Sequence, residues 1–185
     1  MANSALLVMD VQRDIVDVVV DDPGYLPRLR KAIDGARAAN IPVIYVVIGL
    51  RPDNPEVSPR NRVLSAIAGD GRYQEGDPGT GIHDDVAPRE GDAVVTKRRA
   101  SAFSGSDLDL VLRRRGIDSL VLTGLATSGV VLHTLCQAAD LDFGLTVLTD
   151  ACLDTDPELH RALTDRLFPR WADVVTVDDW LRGIA

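Results

Sequence analysis

Short apolar runs alternate with longer amphipathic ones along this chain, the pattern of βα units that feed a parallel sheet. Ala5–Val11, Pro42–Ile48, Ala93–Thr96, Ser119–Thr123, Gly144–Leu148 and Val174–Val177 are each too short for a helix, and most are rich in Val, Leu or Ile. Few polar residues interrupt them, as expected of strands covered on both faces. Between them, Leu26–Ala39, Ser106–Arg115, Ser128–Leu141 and Pro157–Leu167 show helical spacing, with Pro157 suited to a first turn, and a short helix follows Asp178. Right-handed crossovers then predict a three-layer α/β/α, Rossmann-like domain around a mainly parallel sheet of about six strands. Ligands of such a sheet bind at its carboxyl edge, where Asp10, Lys97 and Gly124 are all predicted to emerge.

At 185 residues with 45% apolar content, residues 1–185 read as one domain that buries a substantial core. A formal net charge of −8 argues against a nucleic-acid partner, which requires concentrated Lys and Arg to displace counterions. The first apolar run is broken by Asp10, Arg13 and Asp14, so it reads as neither a signal peptide nor a membrane span, and a cytoplasmic location is expected. Cys136 and Cys152 make neither a disulfide framework nor a zinc motif, and reduced, buried thiols are expected of both.

Gly49–Asp92 lacks clear strand or long-helix character and carries Pro52, Pro55, Pro59, Pro78 and Pro88; Arg62–Ala68 is its one candidate helix. So long a connection in a compact domain is usually functional or partly helical, and it is expected to cover a pocket or a subunit interface. Arg51 and Arg60 within it are candidates for holding a carboxylate, against the plain alternative of solvated surface arginines.

An aspartate that closes an apolar strand needs a partner or a proton, because burying it alone is costly, and Lys97 at the end of the third strand poses the same question. An Asp10–Lys97 pair answers both, either as an ion bridge or as part of a site. Gly124 after a strand, followed by Ala126, Thr127, Ser128 and Gly129 at a helix start, predicts a bend whose free backbone amides face the pocket and suit a developing oxyanion.

These stretches together resemble the isochorismatase-like, or cysteine hydrolase, superfamily over nearly the whole chain. ALLVMDVQRD is similar to the family's first-strand motif and implies Asp10 as the catalytic aspartate; TKRRASAFSGSDL implies Lys97 as the catalytic lysine. TGLATSGVVLHTLCQAAD is similar to the nucleophile turn, where amidase members read T-x-x-C. Counted from Thr127, the cysteine position is Val130, and Ala126, Gly129 and Val130 form the turn implied to bind an oxyanion. Gln12, Arg51, Arg99 and Phe103 follow as substrate-binding candidates, and the family implies a dimer or tetramer.

Valine cannot form the thioester that amidase members use. Cys136 lies six residues further along the same predicted helix and is expected in the core, Cys152 has no cationic setting to activate it, and Ser128 is expected to cap the helix. Isochorismatases dispense with the thiol: the resemblance implies that the aspartate protonates a vinyl carbon and water adds to the resulting oxocarbenium ion. T-K-x-R-x-S-A-F at Thr96–Phe103 is similar to that branch, whereas Leu125–Gly129 looks more like the amidases. No cofactor is expected. No zinc set is expected either, since the Asp-x-His pair of nicotinamidases has no counterpart at Asp53; His83 beside Asp84 and Asp85 reads as a polar turn, and His133 and His160 as helix residues without a role. Three possibilities follow: a thiol-independent hydrolase of a small, anionic metabolite, a catalytically silent binding or assembly member, and an amidase using Cys152.

Overall fold

The structure is a computed structural model that describes residues 3–184. Its elements run in chain order β1 (Ser4–Met9), α1 (Arg13–Val19), α2 (Tyr25–Ala38), β2 (Val43–Ile48), α3 (Arg62–Gly69), β3 (Ala93–Lys97) and α4 (Leu108–Arg114). They continue with β4 (Ser119–Leu125), α5 (Leu132–Asp140), β5 (Gly144–Leu153), α6 (Pro157–Ala162), β6 (Asp173–Val175) and α7 (Val177–Ile184). The six strands form one sheet in the order β3-β2-β1-β4-β5-β6, every pair parallel.

Period-two alternation along the buried strands divides the core. Leu7, Met9, Ile44, Val46, Leu120 and Leu122 face Leu108 and Leu112 of α4 and Leu135 and Ala138 of α5. Leu6, Val8, Val43, Tyr45 and Val121 face Ile15 of α1, Leu29 and Ile33 of α2, and Trp180 of α7. Helices on both faces give the three-layer α/β/α, Rossmann-like arrangement. No helix among the described residues is long and apolar enough to cross a membrane.

Strand order turns back between β1 and β4: from β1 the chain builds outward to β2 and β3, then crosses to β4 and builds the other way. The crevice beyond these two carboxyl ends is where an open α/β sheet receives a ligand. Met9 is paired with Gly124 there, and a Cβ on Gly124 would lie 2.1 Å from the Met9 carbonyl oxygen. With φ at 139° as well, only glycine fits this close approach of the two strands.

Several boundaries differ from those the sequence predicts. β1 ends at Met9 rather than Val11 because Asp10 takes φ 55°, a left-handed conformation that aspartate tolerates better than most residues. α1 was not anticipated, since its RDIVDVV sequence is rich in β-branched residues of poor helix propensity; burial of Ile15 and Val16 in the core accounts for it. The helix expected from Ser128 begins only at Leu132, after an irregular turn at Thr127–Val131 in which Gly129 leaves helical geometry at φ −93°, ψ −108°. β5 runs on to Leu153, which places Cys152 inside the strand opposite Gly124.

Within Gly49–Asp92 the expected helix forms as α3, capped by Asn61 Oδ1, which accepts the Leu64 N–H at 3.0 Å. The rest of the segment is tied back to the sheet edge: Leu50 N–H donates to the Tyr73 carbonyl at 2.7 Å, and Glu75 N–H to the Leu50 carbonyl at 2.9 Å.

Candidate active site

Asp10 turns out of β1 while its own N–H still donates to the Val46 carbonyl at 2.8 Å, which fixes the side chain at the sheet edge. Lys97 closes β3, two strands away, and its Nζ reaches Asp10 Oδ2 at 2.9 Å. The same Nζ donates to the Arg99 carbonyl at 2.9 Å. Asp10 is 6% exposed and Lys97 1%, so the pair is removed from bulk water. Burial raises the Asp10 pKa above its ordinary 3.8, and the Lys97 ammonium opposes that rise. Asp10 Oδ1, by contrast, is buried with no hydrogen-bond partner, since the Ile48 N–H, close enough to help hold the Asp10 pKa down, donates to Gln12 Oε1 at 2.8 Å. One carboxylate oxygen is thus anchored and the other is left without a protein donor.

Beyond β4 the chain passes through a cis Leu125–Ala126 peptide into the Thr127–Val131 turn. Sequence reasoning expects this turn to present free amides, and for two of them that is corrected. Gly129 N–H donates to the Ala126 carbonyl at 3.1 Å, and Ser128 N–H to Asp154 Oδ2 at 2.7 Å. Ser128 therefore acts through its backbone here, with no side-chain cap on the turn. Val130 is 3% exposed and belongs to the same apolar cluster as Phe103, Val131 and Leu135.

The five candidates for holding a substrate divide by what their side chains already do. Gln12 is fully buried and its amide is fully used: Nε2 donates to the Ile48 carbonyl at 2.9 Å and the Thr80 carbonyl at 2.8 Å, and Oε1 accepts the Ile48 N–H at 2.8 Å. Gln12 thus pins the Gly49–Asp92 segment to the end of β2 in place of meeting a ligand. Phe103 is likewise a core residue, its ring 5.9 Å from that of Phe143. Arg51 and Arg60 are exposed on the long segment. Arg99 is half-buried and donates to two carbonyls, Arg98 at 2.8 Å and Glu56 at 2.6 Å. It forms no ion pair among the described residues, in contrast to Lys97 and Arg98 beside it.

Two residues that sequence reasoning passed over belong here. Tyr73, half-buried on the long segment, has its hydroxyl pKa raised by burial; Arg72 above its ring opposes the rise, and the charges of Asp10 and Asp14 add to it. A tyrosine in a proline-rich connection has no periodicity to place it. His160 Nδ1 lies 2.8 Å from Thr127 Oγ1, on the turn itself. His83 Nδ1 accepts the Asp85 N–H at 3.2 Å, closing a polar turn.

Residues 4–179 match the isochorismatase domain family. The chain belongs to the isochorismatase family. Over 186 aligned residues it is 33% identical to an uncharacterized isochorismatase family protein of Bacillus subtilis, YwoC, covering 98% of this chain and 94% of that one. It is 34% identical to the ureidoacrylate amidohydrolase RutB of Pseudomonas syringae, over 96% of this chain and 82% of that one. Among solved structures, the N-carbamoylsarcosine amidase of Thermoplasma acidophilum superposes with a TM-score of 0.78 at 32% identity, over 96% and 98% of the two chains.

In this member of the isochorismatase family the two thiols sit in different settings. Cys152 is fully buried, its Sγ directed at the Leu122 carbonyl at 3.9 Å, and burial pushes its pKa up to about 12. It is held as an inert thiol. Cys136, expected in the core, is exposed, because Val131, Thr134, Leu135 and Ala138 form the buried stripe of α5 and position 136 falls on its opposite side. Iodoacetamide is therefore expected to modify Cys136 alone in the native protein, read by intact mass, with Cys152 reacting only after denaturation. Native modification of Cys152 would revive an amidase role for it.

Proposed function

We propose that this isochorismatase-family chain hydrolyses a small, anionic metabolite without a thiol, Asp10 serving as general acid/base and water as the nucleophile. The asymmetry of the Asp10 carboxylate supports this most strongly: Lys97 anchors Oδ2, while Oδ1 is buried and unpartnered. A protonated Oδ1 satisfies its own burial by donating to a substrate atom. Protonation of a vinyl ether carbon generates an oxocarbenium ion; water adds to it and gives a proton back to Asp10. The resulting hemiketal breaks its C–O bond to the original ether oxygen, that oxygen taking up the hydroxyl proton, to leave a carbonyl compound and an alcohol. Val130 is no obstacle, since no covalent intermediate forms.

Arg99 supports an anionic ligand, because its guanidinium is held in place by carbonyls but not neutralised by a carboxylate. The names of two relatives, a ureidoacrylate amidohydrolase and an N-carbamoylsarcosine amidase, each denote a carboxylic acid as the compound acted on.

A second reading, a member that binds or assembles without turnover, has one observation in its favour. Asp10, Lys97 and Val130 are 6%, 1% and 3% exposed, so a ligand reaches Asp10 only if the residues around it move. Screening vinyl ethers, amides and ureas that carry a carboxylate separates the two. Sustained turnover of any of them removes the silent reading, and none across the panel removes the hydrolytic one. Where turnover is found, its pH dependence has a definite sign. Asp10's pKa lies above 3.8, so the acid form persists to higher pH than in an exposed aspartate, and activity is expected to fall as pH rises through that raised value. A rate that rises or stays level through the acid range would contradict Asp10 as the proton donor.

A further inference from the structure

We infer that His160 and Asp154 are positioning residues that clasp the turn leading to Val130 from the side of the sheet opposite Lys97. Lys97 ends β3 on one flank of β1 and β4, whereas both clasp residues follow β5 on the other flank. His160 Nδ1 meets Thr127 Oγ1 at 2.8 Å, and Asp154 Oδ2 accepts the Ser128 N–H at 2.7 Å. Two consecutive residues of the turn are thus held, one by its side chain and one by its backbone.

The clasp is itself anchored. Asp154 Oδ1 accepts the Asp156 N–H at 3.3 Å, and Asp156 Oδ1 caps α6 by accepting the Glu158 N–H at 2.9 Å and the Leu159 N–H at 3.1 Å. α6 carries His160, whose carbonyl accepts the Thr164 hydroxyl at 3.0 Å. Thr127 is fully buried, so its hydroxyl has no water to fall back on and losing the imidazole leaves it unsatisfied. Apart from these two bonds, the turn's ties are local: the Gly129 and Val131 N–H groups donate to the Ala126 carbonyl, the Leu132 N–H donates back to the Gly129 and Thr127 carbonyls, and the His133 ring meets the Gly129 carbonyl at 2.7 Å. A turn containing Gly129 outside helical geometry has little rigidity of its own, and the clasp supplies it.

With the ring neutral and protonated at Nε2, Nδ1 accepts the Thr127 hydroxyl proton. Burial lowers the His160 pKa and so favours this form, while Asp154 and Asp165 pull it up and Arg161 adds to the lowering. A charged ring would reverse the bond and turn the hydroxyl around.

The clasp affects turnover only if the hydrolytic reading of Asp10 holds, so its test reads thiol chemistry in place of turnover. Val130→Cys in a Cys136→Ser background puts a reporter thiol on the turn, and its rate of iodoacetamide alkylation is followed from pH 6 to 10. Adding His160→Ala or Thr127→Val is expected to change the alkylation rate about tenfold and move its pH midpoint, the scale set by loss of one buried hydrogen bond. Thr127→Ser is expected to restore the parent profile, and the His160→Ala/Thr127→Val pair to match either single change. In the otherwise unaltered chain, Thr127→Val is expected to speed amide hydrogen exchange at Ser128 and Val130 by a similar factor. Unchanged profiles in the folded Thr127→Val variant, or additive effects in the pair, would overturn the inference, whatever the outcome of the substrate screen.

Discussion

Asp10→Asn is expected to lower turnover by roughly 10²–10⁴-fold, the range that a positioned general acid/base contributes, while the protein remains folded. Asparagine keeps the shape and an oxygen for Lys97 but can neither carry nor return the proton. It also leaves the Lys97 ammonium, 1% exposed, without a counter-charge. Breaking a buried pair from one side costs about 3–5 kcal/mol, which a domain of this size survives only with reduced reserve. A fall in thermal midpoint therefore accompanies the loss of activity and must be separated from it. The Asp10→Asn/Lys97→Met variant does so, because replacing both partners by uncharged groups removes the unpaired charge and is expected to recover much of the stability. Its activity is expected to stay lost. Turnover that returned with stability would mean that the pair is an ion bridge holding the sheet edge, and a fully active Asp10→Asn variant would end the proposed role of Asp10.

The pairing of Asp10 with Lys97 was legible because each is a charged residue closing an apolar run, and a buried charge demands a partner. The layers were legible for a similar reason: Leu6 and Leu7 go to opposite faces of a strand covered on both sides, and only a parallel α/β sheet makes such a run common. Local propensity failed where tertiary burial overrode it. The α1 residues Ile15 and Val16 are poor helix formers placed in a helix by the core they fill. Cys136 was placed in the core because it turns away from Val130, whereas the apolar stripe of Val131, Leu135 and Ala138 leaves position 136 on the outer side. The bracing role of Gln12, expected as a substrate contact, and the contact of His160 escaped because their partners are the Ile48 and Thr80 backbones and the Thr127 hydroxyl, distant in sequence and invisible to spacing.

Val130→Cys is expected to convert the site to thiol chemistry. The change removes little volume, and by analogy with other single-carbon losses in a core it costs about 1 kcal/mol, so the fold is retained. The position follows β4 on the turn before α5, across the switch point from Asp10, which follows β1. A thiol near a helix start is more acidic than a free cysteine, and at position 130 that pull opposes burial among apolar residues, the effect that together with the Asp150 charge pushes Cys152 up to about 12. In a Cys136→Ser background, the introduced thiol is expected to alkylate at pH 7 faster than Cys136 does in the parent chain. Hydrolysis of carboxylate-bearing ureido compounds is expected to appear in the Val130→Cys protein and to vanish again with Asp10→Asn, because the thiol needs a proton acceptor. An introduced thiol as inert as Cys152, in a protein that melts as the parent does, would show that the turn does not present this position to the Asp10–Lys97 pair. Valine would then be a core residue there, and the thiol-independent chemistry proposed for Asp10 would have to stand without a neighbouring nucleophile position at all.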